Sequence, residues 1–344
     1  MINNEEILNN EPQKPIKSMK NKSTSPNKPD SVKQQMGNEV KEYHSNGNLK
    51  SVGFLLNGNQ NGIWEKYHDN GQLKEKGSYL NGEKNGVWKY HDENGEISSK
   101  DYYLNREKDG VWEDYHENGQ LWFKGSYLKG EKNGFWEKFY KNGQLKEKGS
   151  FLNGKEDGVW ESYHDNGQLW EKGSYLNGNR EGIWERYYSN GQLREKGSYF
   201  NGERNGFLEE YYSNGQLFSK VSYLNGERDG LFILFGKNNS VKSILTYSKG
   251  NLEGKKLDYW DNGTLKGKEY YSNGIKEGIF EKHSQNGSLI VSGSYLNGKM
   301  NGMWRFNNSW SSLKPSGGYH KGKRVGLWEW NNDNGERVRT KMYN

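Results

Sequence analysis

The stretch "IWEKYHDNGQLKEKGSYLNG" (63–82) decides how this chain folds, because it returns thirteen times at a spacing of 24 residues without insertion or deletion. Its punctuation is Asn-Gly. The turn asparagine stands at Asn46, Asn70, Asn94, Asn118, Asn142, Asn166, Asn190, Asn214, Asn238, Asn262, Asn286 and Asn334, and only Trp310 breaks the series. A second glycine keeps the same beat from Gly62 and Gly86 through to Gly326. A period of this length signals a repeat architecture. Such a chain binds along a surface and rarely encloses one deep catalytic pocket.

Asn-Gly between two strand-like runs predicts a hairpin with a type I′ turn, since both central residues of that turn need positive φ. With Asn70-Gly71 as the turn, Asp69 faces Gln72, His68 faces Leu73 and Tyr67 faces Lys74. Lys66 then faces Glu75, Glu65 faces Lys76, Trp64 faces Gly77 and Gly62 faces Tyr79. The other repeats test this register. Opposite charges recur as Lys138/Glu147 and Arg186/Glu195, and a large ring opposes glycine at Trp112/Gly125, Trp136/Gly149, Trp160/Gly173, Trp184/Gly197 and Trp304/Gly317. Where the ring shrinks the partner grows, as in Leu208/Val221 and Phe232/Leu245, and Lys256 gains Glu269. Complementary volume and charge across a ladder require such paired changes. Trp88 facing Asp101 and Phe280 facing Gly293 do not follow the rule.

The expected fold is therefore all-β: tandem hairpins of 24 residues in one elongated, twisted, single-layer antiparallel sheet. Thirteen hairpins at about 4.8 Å between strands extend roughly 120 Å. One layer has no second sheet to pack on, so ring stacking along the ribbon must supply the burial. The composition fits. Aromatics make up 14% of the 344 residues, with 13 Trp and 24 Tyr, while alanine is absent. Arg337, Arg339 and Lys341 place charge on the last strand, which blunts an open edge.

Two regions are expected. Residues 1–37 hold four of the five prolines among Lys, Ser, Asn and Gln, and read as a flexible Lys/Pro-rich arm. Residues 38–344 are the repeat array. The first 20 residues hold no apolar run and no segment reaches the length of a membrane span, so a cytoplasmic location is expected. Cysteine is absent, which excludes disulfides and thiol chemistry. The net charge of +6 is spread as alternating Lys and Glu and forms no nucleic-acid footprint.

Chemical candidates dissolve into the period. His44, His68, His116 and His164 share one slot that Tyr140, Tyr188 and Tyr212 fill elsewhere, so a structural role outweighs catalysis. Slots two hairpins apart lie roughly 19 Å from each other, too far for shared metal coordination. The expectation is no catalytic residue, no metal and no cofactor. One feature keeps a different time. The slot facing Tyr67 is basic at Lys74, Lys146, Arg194 and Lys266, yet aromatic in alternate hairpins at Trp122, Trp170 and Phe218. The register gives these rings Tyr115, Tyr163 and Tyr211 as partners, and the six residues form a candidate partner-binding stripe on one face.

At "YHDNGQLKEKGSYLNGEKNGVW" (67–88), with close copies from about 43 to 335, the chain resembles the MORN repeat family in its bacterial variant form. The resemblance covers nearly nine-tenths of the chain and blurs at 231–260 and 305–320. It implies an elongated β ribbon used for protein interaction, in some members near membranes, and in some bacterial relatives an antitoxin role. A kinase label carried by other relatives is rejected, because no Gly-rich phosphate loop followed by Lys is present. Three readings follow: a non-enzymatic scaffold for a protein partner, which is favoured; the antitoxin of a toxin pair; and a membrane-surface or nucleic-acid binder using the basic arm. An open ribbon also leaves edges for self-association.

Overall fold

A computed structural model describes residues 37–307 and 312–344. The arm expected at 1–37 falls, but for Gly37, outside these residues, as does Trp310. Among the described residues thirty strand segments form one antiparallel sheet, in which each hairpin pairs with the hairpins before and after it in sequence. The first begins at Asn38. The sheet is open and has a single layer.

The predicted register holds through most of each hairpin. Strand Asn59–Tyr67 pairs with Leu73–Leu80 through Gly62/Tyr79, Trp64/Gly77, Glu65/Lys76 and Lys66/Glu75. The compensating pairs Leu208/Val221, Phe232/Leu245 and Lys256/Glu269 also stand opposite each other. Near the turn the register slips by one. Tyr67 pairs with Leu73 rather than Lys74, and His68 leaves the ladder.

The slip follows from the turn type. His68 N–H donates to the Gln72 carbonyl at 2.8 Å, and Gly71 N–H donates to the His68 carbonyl at 3.0 Å. Asp69, Asn70 and Gly71 thus form a three-residue loop, in which only Gly71 is left-handed, at φ 86°. Such a loop ends in a left-handed bulge residue, here Gly71, and a further one-residue bulge just beyond it makes Lys74 the extra residue. The type I′ turn lies at the other Asn-Gly, where Asn81 (φ 52°) and Gly82 (φ 84°) connect Leu80 to Glu83. One kind of turn lines each long edge of the ribbon.

The turn asparagine is selected for its side chain. Asn70 Oδ1 accepts from Gln72 N–H at 2.9 Å, while Asn70 Nδ2 donates to the Glu93 carbonyl in the next turn at 2.8 Å. Asn118 repeats the arrangement with Gln120 and Lys141. The histidine slot makes a parallel tie: His68 Nε2 lies 3.1 Å from the His91 carbonyl, and Tyr140 and Tyr188 hydroxyls donate to the Tyr163 and Tyr211 carbonyls. His, Tyr and Trp260 interchange because each carries a ring donor. On the opposite edge, Gly82 N–H donates to the Gln60 carbonyl at 2.7 Å. Both edges are therefore stitched from hairpin to hairpin.

Between hairpins, Gly86, Val87 and Trp88 together stand opposite Gly77. Gly86, at φ 79°, creates this bulge and turns the indole across the preceding strand. Where the hairpin before it supplies a glycine, the ring covers that glycine rather than its own register partner: Trp88 covers Gly77, Trp136 covers Gly125, Trp160 covers Gly149 and Trp184 covers Gly173. A Cβ at these glycines would be built into the ring. The indole N–H then adds a second donor to a ladder carbonyl. The Ser126 carbonyl accepts from Asn133 N–H at 2.9 Å and from Trp136 Nε1 at 3.1 Å.

Tyrosines fill the gaps between indoles. From Tyr103 through Trp112, Tyr127, Trp136, Phe151, Trp160, Tyr175 and Trp184 to Tyr199, neighbouring rings meet edge to face with centroids 4.9–6.5 Å apart. Contacts of this kind contribute about 0.5–1.5 kcal/mol beyond burial. Cations cap the stack: Lys108 Nζ lies 3.5 Å from the Trp112 ring centre and the Arg180 guanidinium 3.9 Å from that of Trp184. Trp88 and Trp328 are fully buried in what remains a one-layer sheet.

Gly173→Ala is expected to lower stability by about 3 kcal/mol through overpacking against Trp184. Gly71→Ala, at an open left-handed position, will act through backbone strain alone and cost about 1 kcal/mol. Denaturant unfolding checks both, and equal losses would contradict the ring-on-glycine account.

Candidate partner-binding surfaces

Strand alternation gives the ribbon two unlike faces. The first carries the aromatic stack. The second carries cross-strand Glu/Lys pairs, with Tyr hydroxyls donating to glutamates two residues earlier.

The six predicted stripe residues divide between these environments. Tyr115, Tyr163 and Tyr211 pair with Leu121, Leu169 and Leu217, because the bulge removes Trp122, Trp170 and Phe218 from register. The expected aromatic cross-strand pairs therefore do not form. The three tyrosines lie on the charged face. Their hydroxyls donate to Glu113, Glu161 and Glu209 at 2.8, 2.6 and 2.9 Å, and Lys100 Nζ donates to the Tyr115 oxygen at 2.7 Å. Burial and then the Glu209 hydrogen bond push the Tyr211 pKa up to about 12. Glu185 in the same row is held down to about 2: burial opposes ionisation, but donation from Tyr187, Lys196 and Lys172 outweighs it.

Trp122, Trp170 and Phe218 stay 38–41% exposed. Trp122 leans toward the aromatic face, with its ring 6.0 Å from that of His116 and 5.4 Å from Phe123. Phe218 meets the Tyr212 ring at 5.1 Å. Trp122 lines a depression floored by Trp136 and Phe151, and Trp170 lines the next one. The two depressions share Lys132, Glu147, Phe151 and Trp160, so they join into a trough running from Trp122 to Trp184. At its far end Glu171 is buried between Arg180 (3.0 Å) and Arg186 (2.7 Å), and Glu195 links Arg186 to Arg204 at 3.4 and 3.1 Å. The trough combines an aromatic floor with fixed charges of both signs.

The sequence reading passed over a second set. The residue between the second glycine and the Trp slot lies on the charged face and is 48–65% exposed at Ile63, Val87, Val111, Phe135, Val159, Ile183, Phe207, Leu231, Ile279, Met303 and Leu327. The signal was present, since adjacent strand residues point to opposite faces and this one neighbours a buried ring.

Asp101 interrupts the aromatic face where other repeats place glycine. It is 5% exposed, its Oδ1 has no hydrogen-bond partner, and the Trp112 Nε1 to Tyr102 carbonyl distance lengthens to 3.4 Å. Burial and the neighbouring Asp114 push its pKa up to about 6, against the pull of Lys108, Lys84 and Ser99. Among the described residues no His, Asp and Glu cluster has the makings of a metal site, and no helix is long and apolar enough to cross a membrane.

The sequence pattern of the MORN repeat variant family matches nine segments: 36–57, 60–81, 84–105, 108–129, 132–153, 156–177, 180–201, 204–225 and 252–273. No curated protein matches the chain. Similar solved structures include TcdB2-TccC3, at 10% identity and TM-score 0.17 over 86% of this chain and 20% of that one. The TcdB2-TccC3-Cdc42 structure is similar at 10% identity and TM-score 0.15 over 88% and 20%. This chain thus spans about one fifth of those chains, and likeness at that level carries no functional argument.

Asp101 gives a pH prediction. Its folded pKa lies above the 3.8 of an ordinary Asp, so the folded state holds its proton more tightly. Its stabilising contribution is full below about pH 4 and is lost as pH rises to about 6. Asp101→Gly is expected to remove that decline and to add up to about 3 kcal/mol at pH 7. Thermal melts across pH 4–7 check it, and parallel curves for variant and wild type would refute it.

Proposed function

Because the chain belongs to the MORN repeat variant family, we propose that it is a non-enzymatic scaffold holding an extended segment of a protein partner in the trough between Trp122 and Trp184. The observation that carries this reading is the joining of two depressions through Lys132, Glu147, Phe151 and Trp160, each with an exposed indole at its rim. Trp and Arg are the side chains that dominate interface energies when a partner desolvates them. Trp122 and Trp170 lie two hairpins apart, roughly 19 Å, which an extended segment of about six residues spans. Lys132, Lys138 and Glu147 all line the trough, and together they favour a segment carrying both charges. An antitoxin would use the same trough on a toxic partner. That finer reading requires a neighbouring open reading frame whose toxicity this protein silences.

Pull-down from native cells with the full chain, read by mass spectrometry, is expected to return a protein that Trp122→Ala/Trp170→Ala loses by tenfold or more, about 1.4 kcal/mol. Circular dichroism of the variant should match wild type, since both rings are well exposed. Equal recovery by both proteins would remove the trough from consideration.

A further inference from the structure

The charged face of the ribbon is self-complementary, and we propose that two copies of this chain pack against each other through it, antiparallel, around a two-fold axis parallel to the strands between Val159 and Ser174. The inference concerns the face opposite the trough and stands without it.

Two periodic rows support the arrangement. In the first row, exposed apolar residues alternate strand by strand with serine. Val111 pairs with Ser126, Phe135 with Ser150, Val159 with Ser174, Ile183 with Ser198 and Phe207 with Ser222. Ridges therefore alternate with shallow grooves, one strand or about 4.8 Å apart. In the second row, the ridge strands carry Glu113, Glu137, Glu161, Glu185 and Glu209, and the groove strands carry Lys124, Lys148, Lys172, Lys196 and Lys220. The lysines remain 35–48% exposed although they pair within the chain.

A two-fold axis between Val159 and Ser174 exchanges ridge strands with groove strands while keeping each row over itself. Val159 then meets the partner's Ser174, the partner's Ile183 meets Ser150, and the partner's Ser198 meets Phe135. In the charged row Glu161 meets the partner's Lys172, and the partner's Glu185 meets Lys148. All ten strands of the window 111–222 are matched in both volume and charge. A heterologous partner would need the same two-strand repeat, whereas a second copy has it by identity, and the contact is isologous.

The area is sufficient. Five ridge residues, with Leu128, Leu152, Leu176, Phe200 and Leu224 beside them, are each about half exposed. Together they present on the order of 900 Å² per copy, against about 800 Å² per partner in a standard interface. A two-fold axis parallel to the central strands keeps those strands parallel in the two copies, and the identical twist of both sheets carries the flanking strands round together.

Two measurements on the full chain test this. Analytical ultracentrifugation at micromolar concentration should give a dimer, and Val159→Glu/Ile183→Glu should weaken it at least a hundredfold. Both residues are exposed, so the variant keeps the fold's circular dichroism. A wild type that is monomeric throughout, or a variant that dimerises equally, overturns the proposal. The chain has no native cysteine, which makes cross-linking specific. Mixed Ser150→Cys and Ile183→Cys proteins should form a disulfide-linked heterodimer. Each variant alone should not, because its own copies lie three strands or about 14 Å apart. Self-linking as fast as mixed linking overturns the axis. Trp122→Ala/Trp170→Ala should dimerise normally, which separates failure here from failure of the trough.

Discussion

Every other feature of this ribbon depends on a tryptophan lying flat on a glycine. A single-layer sheet has no opposing layer, so burial must come from side chains lying along the sheet rather than standing off it. The left-handed glycine, Gly86 in the third hairpin, swings the next ring over the preceding strand. The missing Cβ of Gly77 lets that ring lie close. The indole N–H then takes the second lone pair of a ladder carbonyl, and tyrosines wedge between successive indoles. Remove the glycine and the ring must lift, which opens the stack to water on both sides.

Much of this was legible in the residues. The Glu/Lys and Trp/Gly pairings were read correctly because cross-strand chemistry leaves paired traces in thirteen copies. The turn was misread for a specific reason: two Asn-Gly dipeptides occur per repeat, and the dipeptide alone does not say which of them has both residues at positive φ. Asn70 is kept for its amide, which bridges two turns, whereas Asn81 is kept for its left-handed backbone. The one-residue bulge that follows the three-residue loop then displaced Trp122, Trp170 and Phe218 from the tyrosines assigned to them. The glycine beneath each ring was likewise assigned one hairpin too late, because a bulge shifts side chains without disturbing the count.

The departures from the period separate in the same way. Asp101 and the Leu208–Lys256 region break the aromatic stack, and the protein answers with charge capping by Lys84 and Lys108 or with aliphatic packing of Leu208, Val221 and Leu245. Trp122 and Trp170 break nothing. They stand on bulges where lysine or arginine serves as well elsewhere, so packing does not require a ring there, and the trough they rim is an addition to the scaffold.

The opposite face shows the converse. In twelve successive copies the slot before the Trp position is apolar eleven times, and Lys255 is the exception. Size varies freely from Val to Phe to Met, as a packed core would not tolerate. Strand propensity does not account for it, since Thr or Tyr would serve as well, while Leu231, Met303 and Leu327 gain little as strand formers. Folding covers the neighbouring Trp-slot side chain, an indole in most copies, and leaves each of the eleven apolar residues about half in water. A position that is exposed, variable in shape and almost uniform in polarity answers to a surface outside its own chain. The Glu/Lys row beside it sets which surface fits.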